Sequence, residues 1–426
     1  MSDTVSLLEK IISKFQRKPE TFDFLLDRNH EITNMISDIY HKYMNLPKFS
    51  DLVKEDTRKY KSFYCDSHSS SVSGFIKILR KYKFYQLDFD DDWNIYIPNG
   101  YNRIEIDLDK LTPHNENQII FGVQGCDDLV GKTCLWNILE KTYGRFGASQ
   151  LLPETFVLSN DDHVQLFKEQ YKQNEIYILK SKRQRKEGLK LTRELKDILE
   201  SKENYTLVQN YKRDLLLINN RKLNLRIYLL LTIKNGVVEA YINKYATCIY
   251  SNKEYDDSTL DFENNITSFN LDLKVYDENP MTMKQLRTYL LDNGYDNPDV
   301  LFERINNKVA MVIDAVKPSL GRKGNLNNNL CAQVFGMDFV VDKDLNPFML
   351  EANKGPDMQP KQEYKSVNKL IDDLEDFYES ESLVDKCYPV GYKSGNGLKV
   401  QRDIFDLLGL IDMEKKNNGF YLVYSG

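Results

Sequence analysis

Several things are missing from this chain of 426 residues, and each absence narrows what it does. The six cysteines (Cys65, Cys126, Cys134, Cys248, Cys331 and Cys387) form no CxxC pair and no dense framework, the usage of a protein kept in a reducing compartment. The five histidines show no metal-ligand spacing, and no nucleophile stands with a recognisable partner base. No apolar stretch approaches the length that spans a membrane. At the N-terminus Asp3, Glu9 and Lys10 sit among Leu7, Leu8, Ile11 and Ile12, which is amphipathic helical spacing rather than a signal sequence. A surplus of basic charge is missing too: 58 Lys and Arg against 64 Asp and Glu leave a net charge of −6. Composition therefore gives no case for nucleic acid or membrane as a partner, and any basic site must be local. The expected address is cytoplasmic, with the nucleus left open.

What is present is a core-forming sequence, 41% hydrophobic, enough for two or three domains. Residues 1–60 read as a helical segment. Residues 61–125 read as a small α/β lobe, with strands near Tyr85-Gln86-Leu87 and Trp93 to Pro98 closed by Asn99-Gly100. Residues 126–375 hold strands mixed with helices, the pattern of α+β lobes facing one another across a cleft. They include a strong hairpin, Leu223 to Thr232 and Val237 to Tyr245, joined by Asn235-Gly236. Val367, Leu370, Ile371, Leu374 and Phe377 recur at helical spacing with acids turned outward. Residues 376–426 form an extension of no evident role, with a turn at Lys393 to Gly397 and a short helix at Ile404 to Ile411.

The most informative stretch runs from Val334 to Asn353. A turn centred near Asp344 sets Asp338 opposite Glu351, and the two-residue strand period puts Asn353 on that face. Phe335, Met337, Phe339, Phe348 and Leu350 are expected on the other. Two carboxylates and an amide oxygen form a hard oxygen set suited to magnesium shared with a nucleotide's phosphates. The same spacing also occurs on ordinary exposed sheet faces.

Two basic positions answer it. Lys180 ends a strand and opens the basic loop Ser181 to Gly188, a setting in which an ammonium and backbone N–H groups hold phosphate, although such loops are commonly just solvated. In Lys222-Leu223-Asn224-Leu225-Arg226, alternation puts Lys222, Asn224 and Arg226 on one face, where Arg226 is able to grip a carboxylate or phosphate bidentately. Gly125 to Thr133 lies between a strand and a helix as a phosphate-binding loop does, but has five residues between its glycines where that loop needs four. Lys132 itself remains a candidate phosphate contact.

Taken in order, Gly125-Cys126-Asp127 with Lys132, Pro153 to Leu158, Tyr177 to Lys180, Val208-Gln209-Asn210-Tyr211, Arg221 to Arg226, Phe335-Gly336-Met337-Asp338 and Glu351 to Met358 resemble the tubulin-tyrosine ligase-like family over about residues 75–360. The resemblance implies an ATP-grasp fold, two α/β lobes enclosing a nucleotide cleft. It implies that Lys132 and Lys180 hold the nucleotide phosphates and that the backbone around Gln209, Asn210 and Tyr211 contacts adenine. Lys222 and Arg226 would face the γ-phosphate and the acceptor carboxylate, with Asp338, Glu351 and Asn353 carrying Mg2+. The implied activity is an ATP- and magnesium-dependent ligase joining a free amino acid (tyrosine, glutamate or glycine) to a protein with an acidic tail, tubulin among the candidates. It would proceed through an acylphosphate, chemistry that needs positioning and charge stabilisation rather than a protein nucleophile. Two departures stand out: Asn224 occupies a position where many members have Asp, and Ile249 aligns with an arginine. They leave open a catalytically impaired member that binds without turnover. A ligase for small peptides would use the same machinery.

Overall fold

The computed structural model describes residues 62–65, 72–181, 188–267, 273–356, 358, 395–411 and 418–426. The helical reading of residues 1–60, residues 182–187 of the basic loop and the amphipathic pattern at 367–377 lie outside the described residues. The described residues fall into two compact units, the first holding those between 62 and 99 and between 358 and 418, the second those between 100 and 356 and from 419 to 426. Among the described residues no helix is long and apolar enough to cross a membrane.

In the first unit, strand β1 (Ser62–Tyr64) lies between β2 (Tyr85–Leu87) and β3 (Ile95–Tyr96), parallel to both. Helix α1 (Ser73–Lys81) packs on the later helix Gly395–Leu407, where Phe75 meets Phe405 edge to face at 5.6 Å. That later helix begins at Gly395, where the sequence reading expected a turn. Three of its apolar residues, Val400, Ile404 and Phe405, are fully buried, and burying that stripe outweighs the weak helix propensity of its opening glycines.

The second unit contains α2 (Ile104–Lys110), β4 (Ile119–Ile120), the single turn α3 (Asp127–Val130) and α4 (Lys132–Leu151). A four-stranded antiparallel sheet follows in the order β5 (Thr155–Val157), β8 (Leu207–Asn210), β6 (Tyr177–Lys180), β7 (Leu189–Thr192). Helices α5 (Asp161–Gln170) and α6 (Leu195–Glu200) cover it and bury Phe167 and Ile198 against Phe156, Leu179 and Val208.

The larger sheet is organised by β10 (Arg221–Lys234), which the short β9 (Leu217–Ile218) enters through a tight turn. Asn235 and Gly236 both have positive φ, 52° and 78°, as a two-residue hairpin turn requires, and they return the chain as β11 (Val237–Asn243). The first half of β10 pairs with β12 (Thr247–Tyr250) instead. Helices α7 (Phe262–Asn265), α8 (Met283–Asp292) and α9 (Asp299–Val316) follow. Along its other edge β10 pairs with β13 (Leu330–Val341), and β13 in turn pairs with β14 (Pro347–Lys354). Helix α10 is Gly395–Leu407, and β15 (Phe420–Ser425) extends the sheet beyond β11.

The β13–β14 hairpin has Asp338 directly opposite Glu351, the register read from the sequence. A bulge after Asp338 then pairs Phe339 with Met349 and Val340 with Phe348. The inserted residue is Leu350, and one extra residue inverts the alternation beyond it. Phe348 and Leu350 therefore leave the Phe335, Met337 and Phe339 face, where the sequence placed them, and pack with Leu215 and Val340. Met349, fully buried, takes their place.

Candidate functional site

Between the small sheet and the hairpin lies a pocket whose walls are Leu129, Val130 and Leu135 from the α3–α4 region, Leu152 beyond it, Leu207 on β8, and Leu350 and Ala352 on β14. Lys132, Thr155, Lys180, Gln209 and Glu351 supply its polar groups. The apolar part suits a flat aromatic base and the polar part an anion.

Gln209 is 3% exposed, and its Nε2 donates to Pro153 O at 3.1 Å and Thr155 Oγ1 at 2.8 Å. Both donor hydrogens are thereby used, so Oε1 is left as an acceptor, and it is buried without a partner. An unsatisfied acceptor at that depth is costly unless a ligand donor meets it. The N–H groups of Asn210 and Tyr211 are engaged within the fold, by Glu154 O at 2.9 Å and Ile176 O at 3.0 Å. Asn210 does not line the pocket. The Tyr211 hydroxyl is turned toward Lys222, whose Nζ donates to it at 2.9 Å.

The basic residues converge on the hairpin. Lys180 is buried and its Nζ donates to Leu350 O at 3.3 Å, the carbonyl of the bulged residue. Burial pushes this lysine down to about 8, opposed by Glu351 and Asp338 and assisted by the Lys132 cation. Lys132, opening α4, lies 3.8 Å from Glu351. Lys222 is pushed down to about 7 by burial and then by the charge of Lys180. Arg226 faces Asp338 across the paired strands and binds it with both Nε and Nη2, the latter at 2.8 Å. Asn353 Nδ2 donates to Glu351 Oε1 at 3.2 Å.

Four cations, Lys132, Lys180, Lys222 and Arg226, thus share one region with two carboxylates, Asp338 and Glu351. Buried cations in excess of their counter-ions are unfavourable by themselves and become favourable when a polyanion enters. The oxygen donors of Asp338, Glu351 and Asn353, close on adjoining strands, fit a hard divalent cation held jointly with such an anion.

The glycine-spaced loop is built differently. Gly125 N and Asp127 N donate to the two Glu105 oxygens at 3.0 and 3.1 Å, so a carboxylate of the chain fills the place a phosphate takes in a phosphate-binding loop. Glu105, Cys126 and Asp127 lie close enough together to suggest metal ligands. However, the Cys126 thiol is pushed well up by burial and by Glu105, and Asp127 is paired with Lys354.

Asn224 and Ile249, the two departures, face each other across β10 and β12. Asn224 Nδ2 donates to Thr267 Oγ1 at 2.8 Å while its buried Oδ1 has no partner. Sequence reasoning missed Glu105 and the fully buried Asn265, neither of which stands in a motif, and gave no role to Thr155 although it lies in the stretch Pro153 to Leu158; nothing in the sequence pointed to Glu105. Only the polarity of the stretch Asp256 to Asn265 hinted at Asn265.

A model of the tubulin-tyrosine ligase family matches residues 110–377. A human probable tubulin polyglutamylase is 26% identical over 293 residues, 62% of this chain and 46% of the relative. A probable tubulin–tyrosine ligase of Schizosaccharomyces pombe is 27% identical over 168 residues, 39% and 40% of the two chains. A probable alpha-tubulin polyglutamylase of Tetrahymena thermophila is 23% identical over 316 residues, 63% and 73%. The chain thus spans under half the length of the first two.

Proposed function

Because this chain belongs to the tubulin-tyrosine ligase family, we propose that it is an ATP- and magnesium-dependent ligase that joins an amino acid to a carboxylate on an acidic protein tail. The observation that carries the reading is the excess of cations over carboxylates at Lys132, Lys180, Lys222 and Arg226, beside an apolar pocket with one unsatisfied acceptor. The pocket takes the base, and Gln209 Oε1 accepts from an exocyclic amine, which favours adenine over a base that offers a carbonyl there. Lys132 and Lys180 hold phosphates. Asp338, Glu351 and Asn353 hold Mg2+, which supplies charge neutralisation on the phosphates. Arg226, kept in place by Asp338, is set to meet the acceptor carboxylate or the transferring phosphoryl. On this reading the fold is of the ATP-grasp kind and the nucleotide would lie between the small sheet and the hairpin.

Tubulin enters as acceptor through the relatives, whose names specify tubulin. One observation favours a member that binds without turnover: at Asn224 and Ile249 two uncharged side chains stand together where the family resemblance leads one to expect charge. Incubation with Mg-ATP, the twenty amino acids and an acidic tubulin-tail peptide decides between them. The ligase reading expects the peptide's intact mass to rise by one or more amino-acid residues, and expects no gain with Glu351→Gln. ATP binding without any gain in mass would favour the impaired member.

A further inference from the structure

Asn224 is 8% exposed, and only the nitrogen of its amide is used: Nδ2 donates to Thr267 Oγ1 at 2.8 Å, while Oδ1 has no partner. The hydroxyl of Thr247, 1% exposed, is without a partner as well. Each orphan is a desolvated polar group left uncompensated, at a cost that a ligand's hydrogen bond would remove. Strand pairing brings the two together. Residues directly opposite in an antiparallel pair share a face, and so do residues two apart on one strand. Thr247 stands opposite Arg226, Arg226 opposite Asp338, and Asp338 opposite Glu351, so one row of side chains crosses β12, β10, β13 and β14. The orphan hydroxyl is thus the immediate neighbour of the arginine in the cluster of cations and carboxylates. Asn224, two residues from Arg226, stands in the next row between Ile249 on β12 and Val340 on β13.

The charges nearby are turned to other partners. Lys222, two residues before Asn224, donates to the Tyr211 hydroxyl and to Asn265 O, both at 2.9 Å, and that hydroxyl closes the triangle by donating to Asn265 O at 2.7 Å. Arg226 is bound to Asp338. Arg221 donates to Ser251 O and Asn252 O, and Lys253 faces Asp261 at 3.6 Å. Strand β12 itself, Thr247-Cys248-Ile249-Tyr250, carries no charged side chain. Ile249 and Val340, on either side of Asn224, are both buried. Beside Arg226 there is therefore a lone acceptor and a lone hydroxyl between aliphatic flanks.

We propose that Asn224 and Thr247 form the subsite for the head group of the donor amino acid, and that the donor's side chain, set against Ile249, carries no charge. This rests on the ligase reading above. Asn224 Oδ1 accepts a hydrogen from the donor's amine, and the Thr247 hydroxyl donates to its carboxylate. The amine is then held beside Arg226, which meets the acceptor carboxylate, so the two groups to be joined are brought together before they react. A side-chain carboxylate, as in glutamate, would be buried against aliphatic groups without a cation of its own, which is unfavourable. The uncharged pair Asn224 and Ile249 is on this account a selectivity device and not a sign of lost activity.

The test is equilibrium binding of glycine, alanine, tyrosine and glutamate to the protein loaded with Mg2+, β,γ-methylene-ATP and an acidic tubulin-tail peptide, which needs no turnover. At least one of the three uncharged amino acids should bind at least about tenfold more tightly than glutamate. Asn224→Leu should weaken that amino acid by about ten- to a hundredfold, the worth of a hydrogen bond to a charged group, with ATP affinity within about threefold of wild type. Asn224→Asp, which keeps an acceptor there, should hold it at least as tightly as wild type. Thr247→Val separates a ligand contact from a structural one. Without amino acid its melting temperature should equal or exceed that of wild type, since an unsatisfied hydroxyl is removed, yet the amino acid should bind about tenfold more weakly. Glutamate bound as tightly as the best of the other three overturns the proposal. So does wild-type amino-acid affinity in Asn224→Leu, or a Thr247→Val variant that loses stability and keeps its affinity. A wild type that binds ATP but none of the four amino acids overturns the subsite alone, and one that binds no ATP overturns the ligase reading and the subsite with it.

Discussion

Gly336 shows how one absent side chain positions a charged one. It lies two residues before Asp338 on β13, and a Cβ built there would fall 2.9 Å from the Pro356 Cβ and 3.0 Å from Arg226 Cδ. The arginine can lie flat toward Asp338 only because nothing projects from Gly336. For Gly336→Ala the Arg226 side chain must move off Asp338, with overpacking expected to cost about 1 to 3 kcal/mol. The expected outcome is a lower melting temperature with the fold retained and at least a tenfold loss of peptide modification, since a charge displaced by an ångström at a reacting centre costs on the order of a hundredfold. A variant with wild-type rate would show that the Arg226–Asp338 pair is not needed. At this scale the sequence was legible where strand periodicity fixes positions: Asp338 opposite Glu351 follows from a short turn and a period of two. Phe348 was not legible, because the bulge at Leu350 is set by how β13 and β14 fit their neighbours and not by any turn residue. The same bulge gives Lys180 a carbonyl to bind.

At the scale of elements, α4 joins the small sheet to the hairpin. Its first residue, Lys132, reaches Glu351, and its C-terminal part holds the sheet through Arg145. That guanidinium donates to Glu140 at 2.8 Å, Glu154 at 2.9 Å and Thr155 O at 2.9 Å, and stacks 4.2 Å from the Phe156 ring centroid. Gly144, with φ of 69°, breaks the helix just before it and allows the chain to turn Arg145 inward. Replacing Arg145 with Met leaves the partly buried Glu154 without its cation and Glu140 with only His163 beside it, expected to cost about 2 to 3 kcal/mol. Thermal unfolding should show the loss, and because Thr155 lines the pocket, ATP affinity should fall with it. Unchanged stability would mean that the small sheet does not depend on this junction. The sequence showed the start of this helix but neither its length to Leu151 nor the break at Gly144, since its apolar positions follow no clean period. The β10–β11 hairpin, in contrast, was plain from Asn235-Gly236 between two apolar runs, where local turn chemistry and burial agree.

For the whole molecule, net charge is a poor guide. A chain at −6 overall gathers four cations around two carboxylates by bringing together β6, β10 and the start of α4, which are far apart in sequence. Composition averages that gathering away, and only the order of the motifs anticipated it. The Tyr211–Asn265–Lys222 triangle was beyond reach for the same reason: Asn265 is 43 positions from Lys222 and acts through a backbone carbonyl.

The measurement that tests the account most directly is calorimetric binding of ATP and GTP, with and without Mg2+, at pH 7 and pH 9. The account predicts ATP binding strengthened by Mg2+ and weakened in Glu351→Gln, with GTP at least tenfold weaker because guanine turns a carbonyl oxygen to Gln209 Oε1 where adenine turns its amine. Affinity should fall from pH 7 to pH 9, since Lys180, pushed down to about 8, is losing its proton over that range and must regain it to hold phosphate. No ATP binding at either pH, or equal binding of the two nucleotides without Mg2+, would contradict it.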